Sequence, residues 1–389
     1  MDPAADKIGR KKSLVAVAIP QLISWILVFF ARSSMVVLLS RFLSGLSGGA
    51  LYVIIPLFTS EIADDRVRGR LGSIYVFSVA VGILLAYTCG TFFSYETLPC
   101  IFIPLPVLFV VGSSFHPDSA HFLIKANRNE EAENSLKFFR GVMSDEGNEK
   151  VSNEFQSIVS LISTPDRKVK VTVKDFMTKP AKKVLMIGIM LQFLEQFSGL
   201  FGLLFFVSTI FEYSGSSISP NASSIIVGVI QIIGCYCSTL LVDRVGRKIL
   251  ISTSAFGISM GMFVFALYSY LNTHGYDLTS LNFFPLASFS FTLWIANLGV
   301  LSLPFLVTTE LIITLPNIKR HIYIFCLCWS WVFAFIILKY LETLIELVGM
   351  SGLMLMFSIN CLIGGLFVVV FVPETKEKSF PEILEMLEK

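Results

Sequence analysis

The string DKIGRK at residues 6–11 returns as DRVGRK at residues 243–248, 237 positions later, and each copy abuts a long apolar segment. A hexamer alone can recur by chance. Two copies in matching positions beside membrane-length segments predict a duplicated helical bundle. Repeats of this kind build the two halves of many secondary transporters, with the substrate site between them near the bilayer midplane.

Composition agrees with a bilayer setting. The chain is 54% hydrophobic and 15% charged, with a mean hydropathy of +0.75, whereas soluble domains carry roughly 25% charged residues. A hydrocarbon core of about 30 Å needs about 20 apolar residues per helix. That ruler predicts ten spans: 13–31, 35–62, 72–93, 98–115, 183–211, 221–242, 248–271, 283–314, 320–347 and 350–372. The segments 1–12, 62–71, 116–183, 243–248, 317–320 and 373–389 hold 27 of the 30 basic residues. By the positive-inside rule that face is cytoplasmic, and an even span count puts both termini on it. The net charge of +2 conceals this asymmetry and gives no reason to expect a nucleic-acid partner.

Residues 116–182 form a polar linker with helical patterning over Glu130–Phe139 and Asn153–Ile162. Its Arg167, Lys168 and Lys170 read as a positive-inside signal rather than a lipid-headgroup site. The expected organisation is a four-helix bundle (1–115), the linker (116–182), a six-helix bundle (183–372) and a cytoplasmic tail (373–389). Two spans precede Asp243 and none precedes Asp6, so repeat symmetry predicts two further helices ahead of Asp6, twelve in all. The seven cysteines lie in or at the ends of apolar segments. Their i, i+2 pairs point to different helix faces, unlike metal ligands, so they read as packing residues. Gly45, Gly48 and Gly49, like Gly257 and Gly261, are small-residue faces expected to admit close helix packing.

One polar group stands out within the apolar spans. Gln192, Glu195 and Gln196 lie at i, i+3 and i+4 on one helix face. An ionised acid at a helix centre costs about 2.5–3.5 kcal/mol on insertion scales, so such a face calls for a cavity or polar partners. Amides offer both donors and acceptors, which suits the hydroxyls of a polyol. Helix-to-helix hydrogen bonding is the alternative. No phosphate-cradling glycine loop, metal-ligand spacing or catalytic constellation is present, so neither an enzyme nor a cofactor is expected. Asn221-Ala-Ser is a glycosylation acceptor sequence abutting a span on the expected outer side.

In order, the motifs DKIGRK (6–11), RFLSGLSGG (41–49), PLFTSEIADDRVRG (56–69), EQFSG (195–199), DRVGRK (243–248), TEL (309–311) and PETKEK (373–378) resemble the sugar-porter family of the major facilitator superfamily, closest to its insect trehalose-transporter-like branch. The resemblance implies an all-α membrane protein with a two-bundle fold, ten helices present of an expected twelve. It implies transport of a sugar, a hexose or a disaccharide such as trehalose, by alternating access from the plasma membrane. A non-transporting sugar sensor or inactive paralogue is the alternative. It carries a gating role onto Asp6, Arg10, Glu61 and Arg68 in one half and Asp243, Arg247 and Glu310 in the other, as salt bridges that break when the halves rock. Exposed pairs worth about 0–1 kcal/mol each would suit a gate that must open. It assigns sugar contact to Gln192, Glu195 and Gln196, with Glu195 replacing a glutamine, and aromatic walls to Phe305 and Trp329. The chain departs from the family pattern at Tyr87, His121, Phe201 and in NLGVLSLPF (297–305), which keeps Gly299 and Pro304.

Overall fold

A computed structural model describes residues 7–63, 68–142, 148–163, 172–213, 219–312, 314–315, 318–376, 378 and 380–388. Among these, every regular element is helical. The helices are α1 (Arg10–Phe29), α2 (Ser34–Ile62), α3 (Arg68–Phe92), α4 (Thr97–Phe102), α5 (Pro104–Ser114), α6 (Ala120–Lys125), α7 (Asn129–Arg140), α8 (Asn148–Ser163), α9 (Val173–Phe176), α10 (Lys179–Phe197), α11 (Leu200–Phe205), α12 (Val207–Tyr213), α13 (Pro220–Val245), α14 (Arg247–Thr273), α15 (Phe284–Leu298), α16 (Pro304–Ile312), α17 (Lys319–Phe371) and α18 (Phe380–Glu388).

Eight helical segments among the described residues are long and apolar enough to cross a bilayer. The expected count of ten is not reproduced. The last of the eight, 51 residues long, holds two helices that meet within α17 at Gly349, whose φ of 72° and ψ of 170° are not helical, so segments 320–347 and 350–372 are separate as expected. The expected span 283–314 is broken into α15 and α16, of 15 and 9 residues. Gly299 leaves helical geometry there and Pro304 brings no N–H. Hydroxyls take up the freed backbone groups: Ser254 Oγ donates to the Ile295 carbonyl at 2.7 Å and accepts from the Val300 N–H at 3.1 Å. Ser302 Oγ donates to the Asn297 carbonyl at 2.7 Å. An interrupted helix survives in an apolar surrounding only when its backbone groups are satisfied in this way.

By compactness the chain forms two units, residues 1–75 with 92–168 and residues 76–91 with 169–389. In the first, α1 packs along α2 and against α5, with Leu14, Val17, Ala50, Ile54 and Phe58 at the centre. The expected linker helices are present as α7 and α8. They fold with α6 over Phe122, Leu123, Ala132, Leu136, Val151 and Ile158. Arg140 ties them down, donating to Glu154 and to the Ile62 carbonyl at 2.8 Å. Arg167, Lys168 and Lys170 lie outside the described residues.

The second unit is built around α17, which packs on both α14 and α10; Ile187, Leu191 and Leu194 of α10 share one buried core with Ile251, Ile258 and Phe265 of α14 and Leu353 and Phe357 of α17. The middle of α3 belongs to this unit, and its Tyr87 hydroxyl donates to the Leu204 carbonyl at 2.5 Å. The outer faces carry exposed Leu362, Ile363, Leu366 and Val370 on α17 alone. A helix apolar on every side belongs in hydrocarbon.

The glycine faces divide. Cβ atoms at Gly257 and Gly261 would meet Ile295 and Thr292, so these glycines do admit close packing. Among the described residues nothing stands within 4 Å of a Cβ at Gly45, Gly48 or Gly49. That expectation is corrected: α2 meets α1 through Ser47, Ala50 and Ile54 instead. The cysteines are free thiols. Asn221 is exposed in the first turn of α13, while Ser223 of the same acceptor sequence is buried.

Candidate functional site

Two polar networks repeat the sequence duplication in three dimensions. In the first unit α1 starts immediately after Gly9, whose φ of 101° and ψ of 156° are open only to glycine. A Cβ there would strike the Asp118 carboxylate. Asp118 Oδ1 accepts the backbone N–H groups of Arg10 (3.0 Å), Lys11 (3.2 Å) and Ser119 (3.0 Å). It thus satisfies donors that a helix N-terminus leaves open and places negative charge at the favourable end of the dipole. The Arg10 guanidinium forks onto Glu61, Nε to Oε2 at 2.9 Å and Nη2 to Oε1 at 2.6 Å. Ser119 Oγ donates to the second Glu61 oxygen.

The second unit copies each part. Gly246 has φ 104° and ψ 153° before α14, and a Cβ would lie 2.8 Å from Glu374 Oε2. Glu374 accepts the N–H groups of Arg247 (3.0 Å), Lys248 (3.1 Å), Thr375 (3.0 Å) and Lys376 (3.0 Å). Arg247 Nε reaches Glu310 Oε1 at 3.3 Å, and Thr375 Oγ1 donates to Glu310 Oε2.

The structure therefore brings together Arg10 with Glu61 and Arg247 with Glu310, each pair inside one unit. Asp6 lies outside the described residues, as do the side chains of Arg68 and Asp243. The pairs are not the exposed contacts expected. Arg10 and Glu61 side chains are only 3% and 11% exposed, Arg247 and Glu310 16% and 23%. Asp118, Ser119, Glu374 and Thr375 were missed as network members. The signal was present: Pro-acid-hydroxyl occurs at residues 117–119 and again at 373–375.

The polar face of α10 is buried. Gln192 is 0%, Glu195 9% and Gln196 5% exposed. Gln196 Nε2 donates to Ser330 Oγ of α17 at 3.2 Å. Both polar atoms of Gln192, Glu195 Oε2 and Gln196 Oε1 have no hydrogen-bond partner. Buried polar atoms without partners cost about 1–3 kcal/mol each. All four lie on one helix face. The helix stops just beyond, at Gly199 (φ 78°), before α11.

Of the two expected aromatic walls, Trp329 adjoins Ser330 and stacks obliquely on Phe333 at 5.5 Å. Phe333 in turn meets Phe193 (5.5 Å) and Phe197 (5.7 Å) of α10. Phe305 sits half-buried in the first turn of α16. Sequence reasoning passed over Gln231, buried in α13 with Oε1 unpartnered. A lone glutamine within an apolar span was the available signal.

Duplicated helix-capping networks, interrupted membrane helices and a buried polar face on one of them define a secondary transporter of the major facilitator fold. The fold matches the inward-open xylose transporter XylE of E. coli with a TM-score of 0.80, at 20% identity, over 100% of this chain and 85% of that one. The partially occluded inward-open form of the same transporter gives 0.76 at 19% identity, over 96% and 84%. The profile of the sugar (and other) transporter family matches residues 1–387, and the chain belongs to that family. It is 31% identical to the facilitated trehalose transporter Tret1 of Polypedilum vanderplanki over 98% of this chain and 74% of the relative. Tret1 of Bombyx mori is 29% identical with the same coverage.

Proposed function

We propose that this chain carries a sugar, a hexose or a disaccharide such as trehalose, across the plasma membrane by alternating access. The observation that carries the site is the set of four unpartnered polar atoms on Gln192, Glu195 and Gln196, buried in an otherwise apolar helix. Hydroxyls replace the missing partners one for one, since each can donate and accept. Trp329 supplies an apolar ring next to Ser330, and Phe305 a second wall from α16.

In this reading residues 1–115 and 183–372 are the two helical bundles, 116–182 the cytoplasmic linker and 373–389 a cytoplasmic tail. The basic bias supports placing both termini in the cytoplasm. The Arg10–Glu61 and Arg247–Glu310 networks, with Asp6, Arg68 and Asp243 beside them in sequence, form the charged cytoplasmic gate. Each network braces the start of one helix, the end of another and the strand of chain carrying Asp118 or Glu374. The braced ends then move as rigid bodies.

Uptake of radiolabelled trehalose and glucose into proteoliposomes tests the proposal. Saturable uptake with counterflow, lowered by Gln192→Ala and by Gln196→Ala, is expected. Binding without counterflow would make the chain a sugar sensor, and uptake indifferent to both variants would move the site elsewhere.

A further inference from the structure

The unpartnered atoms of α10 are not balanced. Three are oxygens, Gln192 Oε1, Glu195 Oε2 and Gln196 Oε1, against one nitrogen, Gln192 Nε2. One of the oxygens belongs to an acid. Glu195 is nine-tenths buried, and among the described residues no Lys, Arg or His forms an ion pair with it. Its position adds to the imbalance. Glu195 lies in the last turn of the 19-residue α10, where the helix dipole presents negative charge and favours a cation. A carboxylate held in hydrocarbon surroundings without a counter-charge is costly.

We propose that this site selects a sugar bearing a protonated amine, with the ammonium seated on the Glu195 carboxylate. An ammonium brings three donors and no acceptor, which suits the three oxygens left open, while a ring hydroxyl accepts from Gln192 Nε2. Its hydrogen bond to a carboxylate is charge-assisted and stronger than one from a neutral hydroxyl. Gln192 and Gln196 hold the neighbouring hydroxyls of the same ring. The inference rests on the reading of this face as the sugar site.

Equilibrium binding to the purified full chain tests it with three ligands: D-glucosamine, D-glucose and N-acetyl-D-glucosamine. At about pH 6.5 an aliphatic amine is protonated. D-glucosamine should bind at least about tenfold more tightly than the other two, because acetylation keeps the skeleton and removes the charge. Glu195→Gln should bring the three affinities together. Equal affinities in the wild type overturn the proposal, as does an amine preference that survives in Glu195→Gln. If that variant does not fold, the wild-type comparison of the amine with its acetylated form decides alone. Gln192→Ala and Gln196→Ala separate the two levels of the argument. Weakened binding of every sugar with no amine preference defeats only the charge selection. Unchanged binding in both variants, or no binding of any sugar by the wild type, defeats the sugar site as well.

Discussion

Asp118 accepts the backbone N–H of Arg10 at 3.0 Å across 108 positions of sequence, and Glu374 does the same for Arg247 at 3.0 Å across 127. Each acid caps the helix whose arginine grips a second acid, so one short stretch of chain holds two helix ends at once. The paired networks place unlike demands on the two units.

Arg10 is the more deeply buried of the two arginines. Removing one partner of a buried ion pair costs about 3–5 kcal/mol, and Arg10→Ala also strands Ser119 against an uncompensated Glu61. We expect Arg10→Ala to lower the thermal midpoint and the yield of folded protein. Glu310→Gln removes the charge from a less deeply buried pair while keeping the shape of the side chain. It should leave surface expression largely intact while reducing uptake. Thermal-shift measurements beside uptake at matched surface levels check both. Unchanged uptake in Glu310→Gln would reduce that residue to an anchor.

Gly246→Ala should destabilise the second unit by about 1–3 kcal/mol, the strain of a side chain at a glycine-only backbone conformation. The new methyl would also press on Glu374, which caps α14. Gly45→Ala provides the contrast, since nothing among the described residues stands near a Cβ there. A larger loss of thermal stability for Gly45→Ala than for Gly246→Ala would refute the assignment.

Gln196→Ala removes the hydrogen bond to Ser330 and a polar atom expected to face substrate. A loss of about 1 kcal/mol corresponds to roughly a fivefold rise in the transport KM. Ser330→Ala should show the helix-to-helix part of that effect alone. Identical KM values in Gln196→Ala and Ser330→Ala would mean that Gln196 serves packing and not the sugar.

Topology is open to direct labelling. In a cysteine-free background, a cysteine at Asp277 should react with an impermeant maleimide added outside intact cells. One at Lys150 should react only after permeabilisation, as the distribution of basic residues requires. Labelling of position 150 in intact cells would invert the assignment.

Much of this protein follows from local sequence alone. Long apolar runs can lower their free energy only as hydrocarbon-embedded helices, the basic residues orient them, and the repeat at residues 6–11 and 243–248 shows that the bundle is duplicated. The i, i+3, i+4 spacing of Gln192, Glu195 and Gln196 likewise put them on one face, because helix periodicity is a local property. What lay beyond the sequence depends on which distant segments meet. Asp118 and Glu374 cap helices more than a hundred residues away, and Ser330 meets Gln196 across 134 positions. Gly349 separates the two spans that the sequence reads there, while Gly299 and Pro304 divide what reads as one. Such partners are chosen by side-chain packing and by the need to satisfy every backbone group away from water, and both are settled only when the helices have assembled.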